Sequence, residues 1–300
     1  MAEQLGVHVK TVRREIQRGM VELKDYQLRL QRVYSAYYAQ ERHNENVSRR
    51  GRKPTYSKHG ELIKHIRVKL RDKYSPDAII GRLRYEGETT VCTKTVYNWL
   101  ERGYIKDFEM KRKRRKVAMR KVSYKNPTAK RIDSRPKEAD ERQAGHWEMD
   151  LVVSGAGKAG SLLVFTERAS RSELIYLLPD KKQTSVLAVF DRLERRHKGR
   201  FKEIFKTITC DNGSEFLNDI DLERSILGDG KRTAVYYAHP YSSWERGSNE
   251  NANKLIRKFI KKGEDISKLP VAYIKRIEKW INNYPRRIFG YRTANEARNA

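Results

Sequence analysis

Three carboxylates stand at positions where a charge needs a reason. Asp150 lies in Gly145-His146-Trp147-Glu148-Met149-Asp150, within a run over 147–153 that alternates and turns β-branched toward its end. That places it inside a strand, where β-propensity and burial both disfavour it. Asp211 follows the strand-like run 204–210, at the C-terminal end of the fourth expected strand, where α/β sheets hold their ligands. Glu250, in Trp244-Glu245-Arg246-Gly247-Ser248-Asn249-Glu250-Asn251, opens a helix. Two aspartates on neighbouring strand ends and a glutamate on a facing helix can hold two divalent cations about 3.5–4 Å apart. Oxygen donors of this kind suit Mg2+ or Mn2+ rather than zinc. Such an ion pair activates a hydroxyl on one side and stabilises a leaving oxygen on the other, which is phosphodiester chemistry. Singly, each residue is also an ordinary structural feature, Asp-Asn-Gly being a common turn; their joint order carries the reading.

Glu245 competes for the third place and lies nearer Asp211 in sequence. Gly247 and Ser248 make the helix entry, Ser being a good N-cap, so Glu245 falls in the preceding loop, where an ion pair accounts for it. Glu250 falls in the first turn, where the helix dipole favours a carboxylate. Ala252, Leu255, Ile256, Phe259 and Ile260 form an apolar stripe that must pack on the sheet, with Glu250, Lys254 and Arg257 to its side. Glu250 is therefore the expected ligand, Arg257 can reach a phosphate, and Lys254 is a DNA-contact candidate. His146 could serve near the metal but is expected to be packed or hydrogen-bonded. Glu148, on the strand face of Asp150, could support the ligands but is expected to make a cross-strand pair with a Lys or Arg. Cys210 is expected to be core. Trp244 either stacks on DNA or buttresses the loop.

The elements that must position these groups follow from periodicity. Strands are expected over 147–153, 161–166, 173–178, 204–210 and 234–238, and helices over 184–195, 248–260 and 267–283. Three strands in meander, a helix, a strand and more helix is the order of an α/β ribonuclease-H-like catalytic domain, here 141–300.

The front half is built for a polyanion. The 300 residues carry 66 Lys plus Arg against 38 Asp plus Glu, a net charge of +28 that draws nucleic acid over long range. No apolar run approaches the length of a membrane span, no secretory signal is visible, and two cysteines make neither a disulfide framework nor a four-ligand zinc site. All-α helix-turn-helix units are expected ahead of the catalytic domain. In 1–45, residues 2–5 would end a helix, Gly6 would turn, and a helix over 10–18 would present Lys10, Arg13 and Arg14 to DNA, with Val12 and Ile16 inward. An amphipathic helix would follow over 21–43. A basic arm over 46–58, with Arg49, Arg50 and Arg52, suits either a minor groove or phosphate contact without base reading. Residues 59–108 read as a second helix-turn-helix: Ser75-Pro76-Asp77 starts a helix, and Thr93 caps another over 94–101 that buries Val96, Tyr97 and Leu100 and presents Lys94, Thr95 and Asn98. A linker over 109–140 contains Lys111, Arg112, Lys113, Arg114 and Arg115, a like-charge block that stays extended until it meets phosphate.

Gly-His-Trp-Glu-Met-Asp, Thr-Cys-Asp-Asn-Gly-Ser-Glu-Phe and Pro-Tyr-Ser-Ser-Trp-Glu-Arg-Gly-Ser-Asn-Glu-Asn resemble the signature blocks of bacterial DDE transposases of insertion-sequence family thirty. The resemblance extends to Asn282-Asn283-Tyr284-Pro285-Arg286-Arg287 and Tyr74-Ser75-Pro76-Asp77, nearly the whole chain. It implies Asp150, Asp211 and Glu250 as ligands of two Mg2+ or Mn2+ ions, and Arg257 as the basic position after the glutamate. It also implies binding of double-stranded DNA at the element's terminal inverted repeats, strand transfer by the freed 3′-hydroxyl, a homodimer on paired ends and a bacterial cytoplasmic setting. Against the family pattern, 217–231 reads as an insertion and the first helix-turn-helix as clipped. A transcriptional regulator would share the charge without needing the carboxylates, and a plain ribonuclease H would share the carboxylates without the front half.

Overall fold

The computed structural model describes residues 1–49, 55–106, 130–240 and 242–299, so Arg50, Arg52 and the basic block from Lys111 to Arg115 lie outside the described residues. The chain divides into two compact units, Met1–Gly60 and Glu61–Ala300.

In the first unit, residues 2–6 form turns rather than the tail of a helix. Gly6, at φ +63°, turns the chain into α1 (Val9–Gly19). Lys10, Arg13 and Arg14 are exposed and Val12 is half-buried, but Ile16 is not inward: it remains exposed. The amphipathic helix expected over 21–43 is replaced by a hairpin, β1 (Met20–Lys24) against antiparallel β2 (Leu30–Tyr34), and then α2 (Ala36–Arg49). Asp25 is the cause. Its Oδ1 accepts from the backbone N–H of Gln27 and of Arg29, at 2.8 and 2.9 Å, closing a turn at the point where a helix would have to continue.

In the second unit, α3 (Gly60–Arg71), α4 (Pro76–Tyr85) and α5 (Thr93–Glu101) form a three-helix front. Ser75 caps α4 as its sequence predicts, accepting from the Ala78 N–H at 3.2 Å. Two details of α5 differ. Cys92, not Thr93, holds the extended cap position, and Trp99 rather than Tyr97 is buried with Val96 and Leu100, because 96, 99 and 100 share one helical face. Lys94 is exposed; Thr95 and Asn98 are half-buried. This front is joined to the C-terminal helices. Arg82 makes a two-point pair with Glu296 (2.7 and 2.8 Å), Trp280 Nε1 donates to the Asp72 carbonyl (2.8 Å), and the ring of Tyr74 stacks on Tyr284. A Cβ on Gly81 would meet the Tyr291 ring at 2.1 Å, so this approach admits only glycine.

Beyond α6 (Lys137–Asp140) lies a five-stranded sheet of β3 (His146–Val153), β4 (Ser161–Glu167), β5 (Glu173–Leu178), β6 (Thr207–Cys210) and β7 (Ala234–Tyr237), in the order β5-β4-β3-β6-β7. The first three strands are an antiparallel meander; β6 and β7 add parallel to β3. One face packs on α7 (Gln183–His197) and the short α8 (Phe201–Ile204) through Trp147, Met149, Phe165, Phe190 and Ile208. The other packs on α10 (Gly247–Ile256) and α11 (Val271–Asn282) through Val152, Leu162, Val164 and Ile175. This is the ribonuclease-H-like arrangement. The segment read as an insertion holds α9 (Asp219–Glu223) and is tied down by buried Arg232, which bonds Asp191, Glu194 and the Leu222 carbonyl. The chain ends with α12 (Ala294–Arg298). No helix among the described residues is long and apolar enough to cross a membrane.

One buried acid marks this core. Glu173 is fully buried on β5, accepts from the Thr166 hydroxyl at 2.7 Å, and lies 4.0 Å from the Arg286 guanidinium. Burial pushes its carboxyl up from 4.5 to about 8. The folded protein therefore keeps a proton that the unfolded chain has lost, and stability falls as pH rises through that window. The thermal midpoint should drop between pH 5 and pH 8, and Glu173→Gln should flatten the drop; an unchanged slope in the variant would assign it to another group.

Candidate active site

The register of the sheet brings two of the predicted carboxylates together. Glu148 on β3 pairs with Thr209 on parallel β6; two residues further along each chain stand Asp150 and Asp211. Arg246, in the turn before α10, bridges them: its guanidinium lies 3.5 Å from Asp150 Oδ1 and 3.2 Å from Asp211 Oδ2. Asp211 Oδ1 also accepts from the Gly213 N–H at 3.0 Å, holding the Asp-Asn-Gly turn. Burial raises the Asp150 carboxyl above its ordinary value, with Arg246 opposing and Asp211 reinforcing that shift. Burial works against the charge of Arg246, but the two aspartates outweigh it and its proton is held more tightly than usual.

Helix α10 lies over the same face. Asn253 Nδ2 donates to Asp150 Oδ2 at 2.6 Å, while its own Oδ1 is buried with no partner among the described residues. Glu250, one turn earlier, is half-exposed, with Lys254 3.9 Å away. Among the described residues no three His, Cys, Asp or Glu side chains gather tightly enough to hold an ion; what converges is the aspartate pair. Glu245 is occupied elsewhere: it accepts from the His239 N–H (2.9 Å) and lies 2.9 Å from His239 Nδ1, whose Nε2 meets Asp133. Arg257 donates to the carbonyls of Val153 (3.1 Å) and Lys261 (3.4 Å). Trp244 is exposed.

Glu148 pairs with Arg168 at 2.6 Å, as its sequence reading expects, and accepts from Ser248 Oγ and the Asn249 N–H, both at 3.1 Å. His146 is buried against Thr207 Oγ1, and Cys210 is core. Arg246 and Asn253 contact the aspartate pair and are not among the site residues expected from the motifs. Their only sequence signal is place: Arg246 immediately precedes the helix entry, and Asn253 follows Glu250 by three residues and so shares its side of the helix.

No protein-family model matches the chain. Among curated proteins it is 32% identical over 307 residues to the transposase for insertion sequence element IS4351 of Bacteroides fragilis, covering 99% of this chain and 88% of that protein. It is 28% identical to the transposase for IS1086 of Cupriavidus metallidurans (97% and 85% covered). It is also 27% identical to the InsI transposase for IS30A of Escherichia coli K12 (99% and 77%). Among solved structures, the catalytic core domain of BIV integrase matches at 16% identity with a TM-score of 0.35, over 51% of this chain and 93% of that one.

Proposed function

Since the chain belongs to the IS30 family of insertion-sequence transposases, we propose that Asp150, Asp211 and Glu250 form the acidic set of its strand-transfer site. It is a DNA-cleaving and DNA-joining enzyme, and the observation that supports this location is the pair Asp150 and Asp211 drawn to one cationic group at the strand ends. Two carboxylates that share a guanidinium, beside the unpartnered amide oxygen of Asn253, make a hard-oxygen environment fit for Mg2+ or Mn2+. Bound there, two such ions would activate a hydroxyl and stabilise the leaving 3′ oxygen. The chain's own residues do the rest. Asp150 and Asp211 present their oxygens from a rigid sheet, Asn253 orients Asp150, and Arg246 keeps the pair together and supplies positive charge next to a phosphate. Arg257 is the further phosphate candidate, tied to the end of β3.

The substrate we assign is duplex DNA at the element's terminal inverted repeats, held by a homodimer on paired ends in the bacterial cytoplasm. Lys94, Thr95 and Asn98 on α5 are the base-reading candidates, with Lys10, Arg13 and Arg14 on α1 in the same role. Arg49, Arg50, Arg52, Lys111, Arg112, Lys113, Arg114, Arg115 and Lys254 are assigned to phosphates. The direct test supplies duplexes cut from the DNA flanking the gene, with Mn2+. Nicking at the repeat boundary and covalent joining to a target duplex are expected. Binding without either would leave a regulator, and hydrolysis of RNA–DNA hybrid alone would leave a nuclease.

A second measurement addresses the linker. Affinity should fall with salt by about 0.9 log units per decade for each phosphate neutralised. Replacing Lys111, Arg112, Lys113, Arg114 and Arg115 by Ala should flatten that slope and weaken all duplexes alike. Loss of sequence preference at an unchanged slope would make the linker a base reader instead.

A further inference from the structure

We infer that Glu148 is a positioning residue for strand transfer: it sets the register of α10 along β3, and through that helix the place of Glu250 relative to Asp150. This rests on the reading of Glu250 as the third ligand.

A carboxylate as buried as Glu148, 1% exposed, needs a partner. Arg168 at 2.6 Å supplies one. A purely structural pair would need no more, yet both oxygens are also aimed at the start of α10. Oε1 takes the Ser248 hydroxyl and Oε2 the Asn249 N–H. The opening N–H groups of a helix lack partners within it, and no side chain of the helix's own cap residue, Arg246, fills that role. Glu148 therefore caps α10 from a different element, with a negative charge at the positive end of the helix dipole.

Two more rungs repeat the pattern along the strand. Asp150 takes the amide of Asn253, and further on the Val153 carbonyl takes Arg257, where Val152 and Ile256 belong to one apolar cluster. Two residues of strand advance about 6.6 Å, and four residues of helix advance about 6 Å. Position 148 faces 249, 150 faces 253, and 152–153 face 256–257, so strand and helix run side by side as a ladder of nearly equal rungs. Slipping the helix by one residue would shift it about 1.5 Å and rotate it about 100°, breaking every rung at once. Glu250 directly follows the first rung. The contact that fixes its place most closely is the one Glu148 makes.

The test is ion affinity. Binding of Mn2+ alone to the full chain, followed by loss of the free-ion EPR signal, should weaken about tenfold or more in Glu148→Gln, as loss of an outer partner of a ligand commonly does. The Mn2+ concentration for half-maximal cleavage should rise in step, with cleavage recovering at saturating ion. Ile208→Ala, a destabilising change on the far face of the sheet, should leave both values at wild type. Should Glu148→Gln fail to fold, Ser248→Ala removes one rung bond without stranding a charge and should shift both values by about fivefold. Wild-type Mn2+ affinity in a folded Glu148→Gln, or in Ser248→Ala where that is the variant that folds, overturns the proposal. So does cleavage lost equally at every Mn2+ concentration. Failure of the underlying reading looks different: Glu250→Gln would then bind Mn2+ and cleave as wild type.

Discussion

Replacing Asp150 by Asn should remove Mg2+-dependent strand cleavage, by at least about a hundred- to a thousandfold, while DNA binding survives in a gel shift. That factor is typical for one group lost from a preorganised charged site. The change keeps the shape of the side chain and removes an anion from between Arg246 and Asn253. It also turns an acceptor facing the Asn253 amide into a group able to present a second donor there. Folding should not suffer, because burial already works against the Asp150 charge; the thermal midpoint should hold or rise. Asp211→Asn should behave alike in cleavage, since it breaks the other half of the same bridge. Cleavage at wild-type rates in Asp150→Asn would exclude the strand-end site altogether.

The second large effect separates the two glutamates of the last signature block. Glu250→Gln should reduce cleavage as severely as the aspartate changes. Glu245→Gln should retain a substantial fraction, because the carboxylate of Glu245 is used to tie the loop to His239. A Gln there can still accept from the His239 N–H. The damage from Glu245→Gln should grow toward acid: Glu245 and Asp133 raise the His239 pKa, so the protonated ring loses one of two anionic partners. Cleavage rates of both variants across pH, at fixed Mn2+, are the measurement. Full activity in Glu250→Gln with none in Glu245→Gln would transfer the ligand role to the loop.

The catalytic sheet was legible because its strands alternate cleanly and its turns carry Gly, Asn and Asp; β3 and β5 fall within a residue of expectation. The front was less so. Over residues 20–34, helical and alternating spacings of the same apolar residues coexist, and the side chain of Asp25 decides between them through bonds that no periodicity records. In the site, Asp150 was visible as a charge inside a strand and Asp211 as one at a strand end. Arg246, Asn253 and the capping role of Glu148 were not, because each acts across 35 or more residues of sequence, and polar residues at a helix start look alike until the partner strand is in place.

The bond between α4 and the C-terminal helices has a mechanical meaning. Arg82 gripping Glu296, Trp280 on the Asp72 carbonyl, and the Tyr291 ring seated on Gly81 attach the three-helix front to the body that carries the carboxylates. On the proposal that α5 reads bases and the strand-end carboxylates cut, the reader and the cutter would be two jaws of one gauge block. The offset between the base recognised and the phosphodiester broken is then a dimension of the protein, set by side chains at that seam. Loosening the seam, as Arg82→Ala would, should scatter the cut among neighbouring positions before it abolishes cutting.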